Sequence, residues 1–429
     1  MRNRSPVALP PASTSQRVGV RGALERRNYR LFVAGQLVSV VGTWTQSVAE
    51  SWLVYRLTGS AVWLGVAAFC QQVPAFLLAT FGGLVADRYP KRTTLILTQS
   101  AAMVLAFVLA ALTLSGRVRV GHLLVMATLL GVIRAFDSPT RQSFVVEIAG
   151  RENLASAISL SSSLITGGAV LGPAIAGIAI AALGEGWCFL ANGVSFVAVI
   201  VGLLTMRDLP SPAITRTREP MHVRVIEGFR FAATEPRLRA LLLLLALTAF
   251  MAIPSATLMP VFATKILGGD SKTLGLLMGA QGLGALVAGL VMTSRVGHKS
   301  GESTYRFIGG ACGLLGLMLV AFALSSVLWL SIAISVLLGA TTFIQVTATN
   351  TLVQVLTPDA LRGRVMAIWL MILMGFAPLG SVVAGWLATA TDPRMPLIGG
   401  GIACISGALV FAGHSALRRK RAESAGLQW

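Results

Sequence analysis

The sequence predicts an all-α membrane protein of twelve transmembrane helices, arranged as two pseudo-symmetric six-helix bundles. Three observations lead there. Composition is the first: 55% of residues are hydrophobic, 12% are charged and the mean hydropathy is +0.77, whereas a soluble domain carries about 25% charged residues. The second is an alternation of long apolar runs with short polar turns. About 20 apolar residues cross the roughly 30 Å hydrocarbon layer as a helix, so the chain holds about twelve such runs. The third is an internal repeat. Val145-Val146-Glu147-Ile148, Leu154, Leu171-Gly172-Pro173 and Ala176-Gly177 have counterparts in Val353-Gln354-Val355-Leu356, Leu361, Pro378-Leu379-Gly380 and Ala384-Gly385. The offset is about 207 residues, and duplication of a six-helix unit gives two bundles related by an axis along the membrane normal.

Residues 1–28 form a Pro/Ser/Arg-rich segment, expected to be a disordered tail, and lack the apolar core of a cleavable signal. The N-terminal bundle follows over 29–206. Its first span, 29–57, carries Gln36, Ser39, Thr43, Gln46 and Glu50 at spacings of three and four. These side chains share one helical face, and a polar stripe on a membrane helix faces protein interior or a water-filled cavity. Span two, 61–86, has Pro74 near its middle. A charged turn leads to span three, 93–114. Span four, 122–148, contains Arg134, Asp137, Pro139 and Arg141. Arg134 lies near mid-membrane, where an unpaired charge costs at least about 2.5–3.5 kcal/mol. Asp137 and Arg141 share its face, so Arg134 and Asp137 either neutralise one another as a buried pair or serve coupling.

Span five, 154–183, holds Gly168, Gly172, Pro173, Ala176 and Gly177, a spacing of small residues that permits close helix packing, with a bend at proline. Span six ends near Met206. Residues 207–239 form a central linker with a basic amphipathic run. The C-terminal bundle, 240–416, contains spans at 240–264, 273–294, 304–325, 327–356, 361–390 and 395–416, with Pro254 and Pro378 expected to bend helices. Thr342, Gln345 and Thr349 make a polar stripe on span ten, a cavity wall or a set of inter-helix hydrogen bonds. A basic tail, 417–429, ends the chain.

The net charge of +19 does not indicate nucleic-acid binding. With the N-terminus inside, about 27 of the 35 Lys and Arg fall on cytoplasmic segments and about six on outer loops, the positive-inside bias. Both termini are therefore expected in the cytoplasm, in a multi-pass inner-membrane protein whose basic runs meet anionic lipid. Cys70, Cys188, Cys312 and Cys404 have no metal or redox spacing and read as buried small hydrophobes. No nucleotide loop or Ser/His/Asp arrangement appears, and the scattered histidines read as loop or interface residues. The expectation is a protein that is not an enzyme and needs no cofactor or metal.

The turn between spans two and three organises the chain. Gly83-Leu84-Val85-Ala86-Asp87-Arg88-Tyr89-Pro90-Lys91-Arg92-Thr93-Thr94-Leu95 resembles the loop signature of the major facilitator superfamily, with Val85 for the usual Leu and Pro90 for the usual second Gly. The second copy, residues 289–299, lacks the acid. Gln36-Leu37-Val38-Ser39, Gly42-Thr43-Trp44 and residues 51–60 resemble the transmembrane secretion effector branch, whose members include enterobactin and macrolide-type drug exporters. Leu130 with Arg134 is similar to a superfamily motif whose buried Arg is linked to proton coupling, although Asp137-Ser138 replace the usual Gln-Gly. Gly168 to Gly177 is similar to the span-five motif of drug:proton antiporters, with Ala176 for one Gly.

The resemblance implies a monomeric secondary transporter that exports a small lipophilic compound, a drug or siderophore-like metabolite, across the cytoplasmic membrane by proton antiport. Gly83, Asp87, Arg88, Lys91 and Arg92 would form a gating loop, with Asp87 at the positive N-terminal end of span eleven. Arg134, Asp137 and Glu50 would couple protons, since burial favours a protonated carboxyl. Gln36, Ser39, Thr43, Gln46, Thr342, Gln345 and Thr349 would line the cavity, and Gly168, Gly172, Pro173 and Gly177 would pack helices. An importer or uniporter of a small metabolite, or a non-transporting receptor or scaffold, remains the alternative.

Overall fold

The computed structural model describes residues 20–207, 221–295 and 301–424, and no strand occurs among them. A short helix, Val20–Glu25, precedes the first long one, so ordered chain begins before the expected 29; Arg26 forms an ion pair with Glu152 there. The long helices are α1 Arg27–Thr58, α2 Ala61–Arg88, α3 Lys91–Leu114, α4 Val120–Ala149, α5 Leu154–Leu183, α6 Glu185–Leu204, α7 Pro236–Met251, α8 Ser271–Arg295, α9 Gly301–Leu324, α10 Leu328–Leu356, α11 Asp359–Ala390 and α12 Arg394–Ser424. The connecting helix Met221–Thr234 lies before α7. The rest of the linker, the end of the second loop copy and the last tail residues lie outside the described residues.

Among the described residues, eleven helices are long and apolar enough to cross a membrane. The twelfth, α1, has 32 residues, ample length at about 1.5 Å rise each, but its polar stripe lowers its hydropathy. Turn chemistry sets the boundaries. Gly59 takes a left-handed conformation (φ 62°) and returns its N–H to the Tyr55 carbonyl, closing α1. Proline, which fits the start of a helix because it needs no N–H donor, stands just before α3 and α11 and at the first position of α7.

Pro74, Pro139, Pro173 and Pro378 lie inside continuous helices. Span seven differs from the expected single bend. After Met251 it tightens into a 3₁₀ segment, Ile253–Leu258, then a short helical piece, Met259–Val261, and a π segment, Phe262–Ile266. Pro254 and Pro260 each lack the N–H needed for the helical ladder, and two such losses within seven residues reshape the span beyond Met251.

Packing repeats between the halves. α2 lies on α4 and α8 on α10, each pair joined by glycines against backbone. A Cβ at Gly82 would sit 1.8 Å from the Ala135 carbonyl oxygen, and one at Gly284 would sit 1.8 Å from that of Val336. The seams between halves are α2 on α11 and α5 on α8. A Cβ at Gly65 would come within 2.3 Å of the Ser381 carbonyl oxygen, and one at Gly385 within 2.4 Å of that of Ala61. Both lie at the end opposite the Asp87 turn, called here the far end. The broken part of span seven closes against α1, α2 and α11 at that end, with a Thr257–Ser381 hydroxyl contact of 3.1 Å.

The apolar core follows the same division. Val48, Leu53, Leu64, Leu109 and Leu123 at the far end of the N-terminal half join one core with the C-terminal residues Leu258, Phe262, Phe322 and Trp369. At the Asp87 end the N-terminal half keeps a separate core of Tyr29, Phe32, Leu95, Phe144 and Ile148. The halves are therefore fused at one end and parted in their cores at the other.

Candidate functional site: a buried charge network and its gates

Asp137 sits on α4 with its side chain only 4% exposed. Its carboxylate accepts hydrogen bonds from Thr98 Oγ1 at 3.0 Å and Gln99 Nε2 at 2.7 Å, both on α3. Arg141, one turn along α4, forms an ion pair with it and donates from Nη1 to Gln36 Oε1 of α1 at 3.4 Å. Three helices thus meet around this ion pair, α3 at the carboxylate and α1 at the guanidinium. Helical spacing places Arg141 over Asp137, while Thr98 and Gln99 supply the donors that a buried charge requires.

Arg134 does not pair with Asp137. Its Nη1 donates to Gln71 Oε1 on α2 at 3.2 Å, and Glu50 of α1, Arg141 and Asp137 are the charges near enough to act on it. Glu50 is buried and forms no ion pair or hydrogen bond among the described residues. Among the described residues the ion pair of Asp137 is with Arg141, which lies on the same face of α4, and not with Arg134. Among the described residues, the buried charges midway along the spans all belong to the N-terminal half.

The α1 stripe divides. Gln36 turns to Arg141, whereas Gln46 accepts from Asn192 Nδ2 of α6 at 2.7 Å; Ser39 is buried and Thr43 half-buried. On α10, Gln345 and Thr349 are fully buried, and neither amide atom of Gln345 nor the Thr349 hydroxyl has a hydrogen-bond partner. Thr342 is half-buried. Sequence reasoning missed Gln71, Thr98, Gln99 and Asn192, whose one signal was an isolated polar side chain within an apolar run.

Around the turn, Lys91 Nζ forms an ion pair with Glu147 at 2.7 Å, and Arg92 donates to the Leu204 carbonyl at 2.8 Å. These two bases tie α3 to α4 and α6. Asp87 and Arg88 are exposed and have no ion pair or hydrogen bond among the described residues, and a Cβ built on Gly83 would meet no packing neighbour within 4 Å beyond its own stretch of helix. The start of α11 is occupied otherwise: Arg362 meets Asp359 at 2.5 Å, and Arg364 forms an ion pair with Glu227 of the connecting helix.

The glycines of α5 serve two neighbours. A Cβ at Gly172 would lie 2.3 Å from the Trp44 Cβ, and one at Gly168 would lie 2.4 Å from Val40 Cγ1, so both admit α1. Thr45 Oγ1 donates to the Gly172 carbonyl at 3.2 Å. Past Pro173 the contact passes to α8, where Ser271 donates to the Gly177 carbonyl at 3.2 Å. No group of three or more His, Cys, Asp and Glu that could hold a metal ion occurs among the described residues.

Residues 22–427 match the family model for transmembrane secretion effectors. The chain is 27% identical over 357 residues to the staphyloferrin A transporter of Staphylococcus aureus, covering 82% of this chain and 88% of that protein. It is 25% identical to the multidrug efflux pump Tap of Mycolicibacterium fortuitum, covering 84% and 89%. It is also 25% identical to the enterobactin exporter EntS of Escherichia coli, covering 85% and 86%. Among solved structures, a bacterial homologue of the iron transporter ferroportin in an inward-facing state superposes with a TM-score of 0.70 at 18% identity, covering 91% of this chain and 99% of that one. A POT family transporter in complex with 5-aminolevulinic acid gives 0.73 at 13%, covering 92% and 96%. These structural likenesses show the fold, that of the major facilitator transporters.

Proposed function

The chain belongs to the transmembrane secretion effector family of membrane transporters, not to the enzymes, and from that premise we propose that it exports a small lipophilic compound from the cytoplasm in exchange for protons. The two halves, about 29–206 and 240–416, rock about a midplane site in alternating access. The observation that carries this reading is the placement of Glu50, Arg134, Asp137 and Arg141 inside the spans of the N-terminal half. Ionisable groups at that depth are costly, and proton relays are among the functions for which they are kept. A proton arriving from outside neutralises Asp137 or Glu50, loosens Arg141 or Arg134, and biases the carrier toward one face.

The positive-inside bias supports the reading in which the Asp87 turn, both termini and the linker lie on the cytoplasmic side of the inner membrane. In that orientation the fused far end is the outer gate and the arrangement is open inward. Asp87, which has no ion pair or hydrogen bond among the described residues, docks at the start of α11 when the inner gate closes, and Arg88 moves with it. The stripes of α1 and α10 face the cavity as the halves rock, and the protein acts as a monomer.

The test is accumulation of a panel of macrolides, dyes and catecholate siderophores in cells stripped of their own exporters, with and without a protonophore. Lower accumulation with the intact chain, lost in Asp87→Asn and with the protonophore, supports proton-driven export. Unchanged export after Asp137→Asn and Glu50→Gln, singly and together, refutes the coupling assignment. Counterflow in vesicles separates export from import, a distinction worth making because the name of the staphyloferrin A transporter specifies no direction.

A further inference from the structure

Spans nine and twelve meet more closely than apolar side chains would allow. A Cβ at Gly316 would stand 2.5 Å from the Gly401 carbonyl oxygen, and one at Gly401 would stand 2.6 Å from that of Gly316. The helices are antiparallel, so the next layer pairs Cys312, one turn before Gly316, with Cys404, about one turn after Gly401. Both cysteines are free and fully buried. Cys312 Sγ lies 3.6 Å from the Cys404 carbonyl oxygen and 3.8 Å from Thr248 Oγ1 of α7, so the Cys312 thiol reaches the Cys404 backbone itself. A further layer along, Tyr305 stacks on Phe411 with ring centroids 4.1 Å apart, which fixes the register. The other cysteines lack this arrangement: Cys188 contacts its own helix's Gly184 carbonyl at 3.9 Å, and Cys70 lies on another helix.

We propose that Cys312 and Cys404 are an oxidisable dithiol that closes to a disulfide in the membrane interior and staples α9 to α12. Disulfides need Cα atoms within about 7 Å and converging Cβ vectors; the glycine-on-glycine crossing one turn away and the Cys312 Sγ contact with the Cys404 carbonyl hold the two backbones close enough for us to infer that closure is within reach. The oxidant class is a lipid-soluble quinone. Two S–H bonds break, one S–S bond forms, and two electrons and two protons pass to the quinone, which leaves as hydroquinone. No free thiolate is needed in the apolar layer, where burying an unpaired charge is costly. Both residues lie midway along their spans, beyond the reach of charged glutathione, so the closed form persists in a glutathione buffer while a neutral, membrane-permeable dithiol reopens it. The staple lies within one half and leaves the α2–α11 and α5–α8 seams free.

The experiment uses the full chain in lipid vesicles, treated with a fully substituted benzoquinone, which accepts electrons without adding thiols to its ring. Thiols are then counted after denaturation, and proteolytic peptides are mapped by mass spectrometry without reduction. The expected result is loss of two of the four titratable thiols and one linked peptide pair containing Cys312 and Cys404. The link should survive glutathione and be absent from Cys312→Ala and Cys404→Ala. It should remain in Cys70→Ala and Cys188→Ala, which checks that substitution alone does not prevent closure. Four thiols still titratable in the parent, a link through Cys70 or Cys188, or ready reversal by glutathione would each overturn the proposal.

Discussion

Gly65→Ala offers the sharpest test of the inter-half seam. A Cβ at Gly65 would lie 2.3 Å from the Ser381 carbonyl oxygen and 2.8 Å from its carbonyl carbon. Ordinary contact begins near 3.4 Å, so α2 and α11 must part by about 1 Å at the far end (3.4 − 2.3 Å). The obstacle is backbone, which no rotamer change relieves. Overpacking of this kind costs about 1–3 kcal/mol, and because the clash exists only while the halves are joined there, the cost falls on this conformation alone. The equilibrium between far-end-closed and far-end-open states should move by about 5- to 150-fold. Gly82→Ala is the control: its Cβ would sit 1.8 Å from the Ala135 carbonyl oxygen, but both helices belong to the N-terminal half and move together. Spin-label pairs spanning α2 and α11, one at each end, read the two populations in a cysteine-free background. Gly65→Ala should lengthen far-end distances and shorten those at the Asp87 end, while Gly82→Ala should lower thermal stability without changing either distribution. Unchanged distances in Gly65→Ala with shifted ones in Gly82→Ala would refute the reasoning.

Three further outcomes follow from the packing and the network. Asp137→Asn keeps an oxygen for Thr98 and Gln99 but strips Arg141 of its countercharge. Breaking a fully buried pair costs about 3–5 kcal/mol, and with Arg141 35% exposed solvent screening brings this to about 1–3 kcal/mol. The melting midpoint should fall, and addition of Arg141→Gln should recover part of it in a double-mutant cycle. Gln345→Leu replaces an amide buried without partners by an apolar group of similar size. Stability should rise by up to about 1–3 kcal/mol, seen as a higher midpoint, whereas a fall would mean that the amide has an essential partner. Gly172→Ala drives a Cβ to 2.3 Å from that of Trp44 and should cost about 1–3 kcal/mol; Trp44→Ala in the same chain should relieve the clash, so the double variant should melt above the sum expected from the two single ones.

Much of this molecule is written locally in its sequence. Apolar run length and turn residues determined the helices, since in lipid each span must satisfy its own backbone hydrogen bonds. The repeat of Gly172-Pro173 and Gly380 implied the two-fold plan, and the Asp87 turn pointed to the family. Periodicity also put Asp137 and Arg141 on one face of span four, because helical neighbours are fixed by spacing. It did not choose between Arg134 and Arg141 as the partner of Asp137, nor reveal that Gln36, Thr98 and Gln99 complete the site from two other helices. Those contacts depend on how each helix is rotated about its axis, and rotation is set by where glycines let backbones touch. The 3₁₀ and π turns of span seven were hidden for a related reason: proline marks a lost hydrogen bond, but neighbouring α1, α2 and α11 decide how the chain recovers. The same holds for Cys312 and Cys404, far apart along the chain and read there as inert. Local chemistry thus determined the spans and their order, while close packing of backbones brought together the pairs that no single span contains.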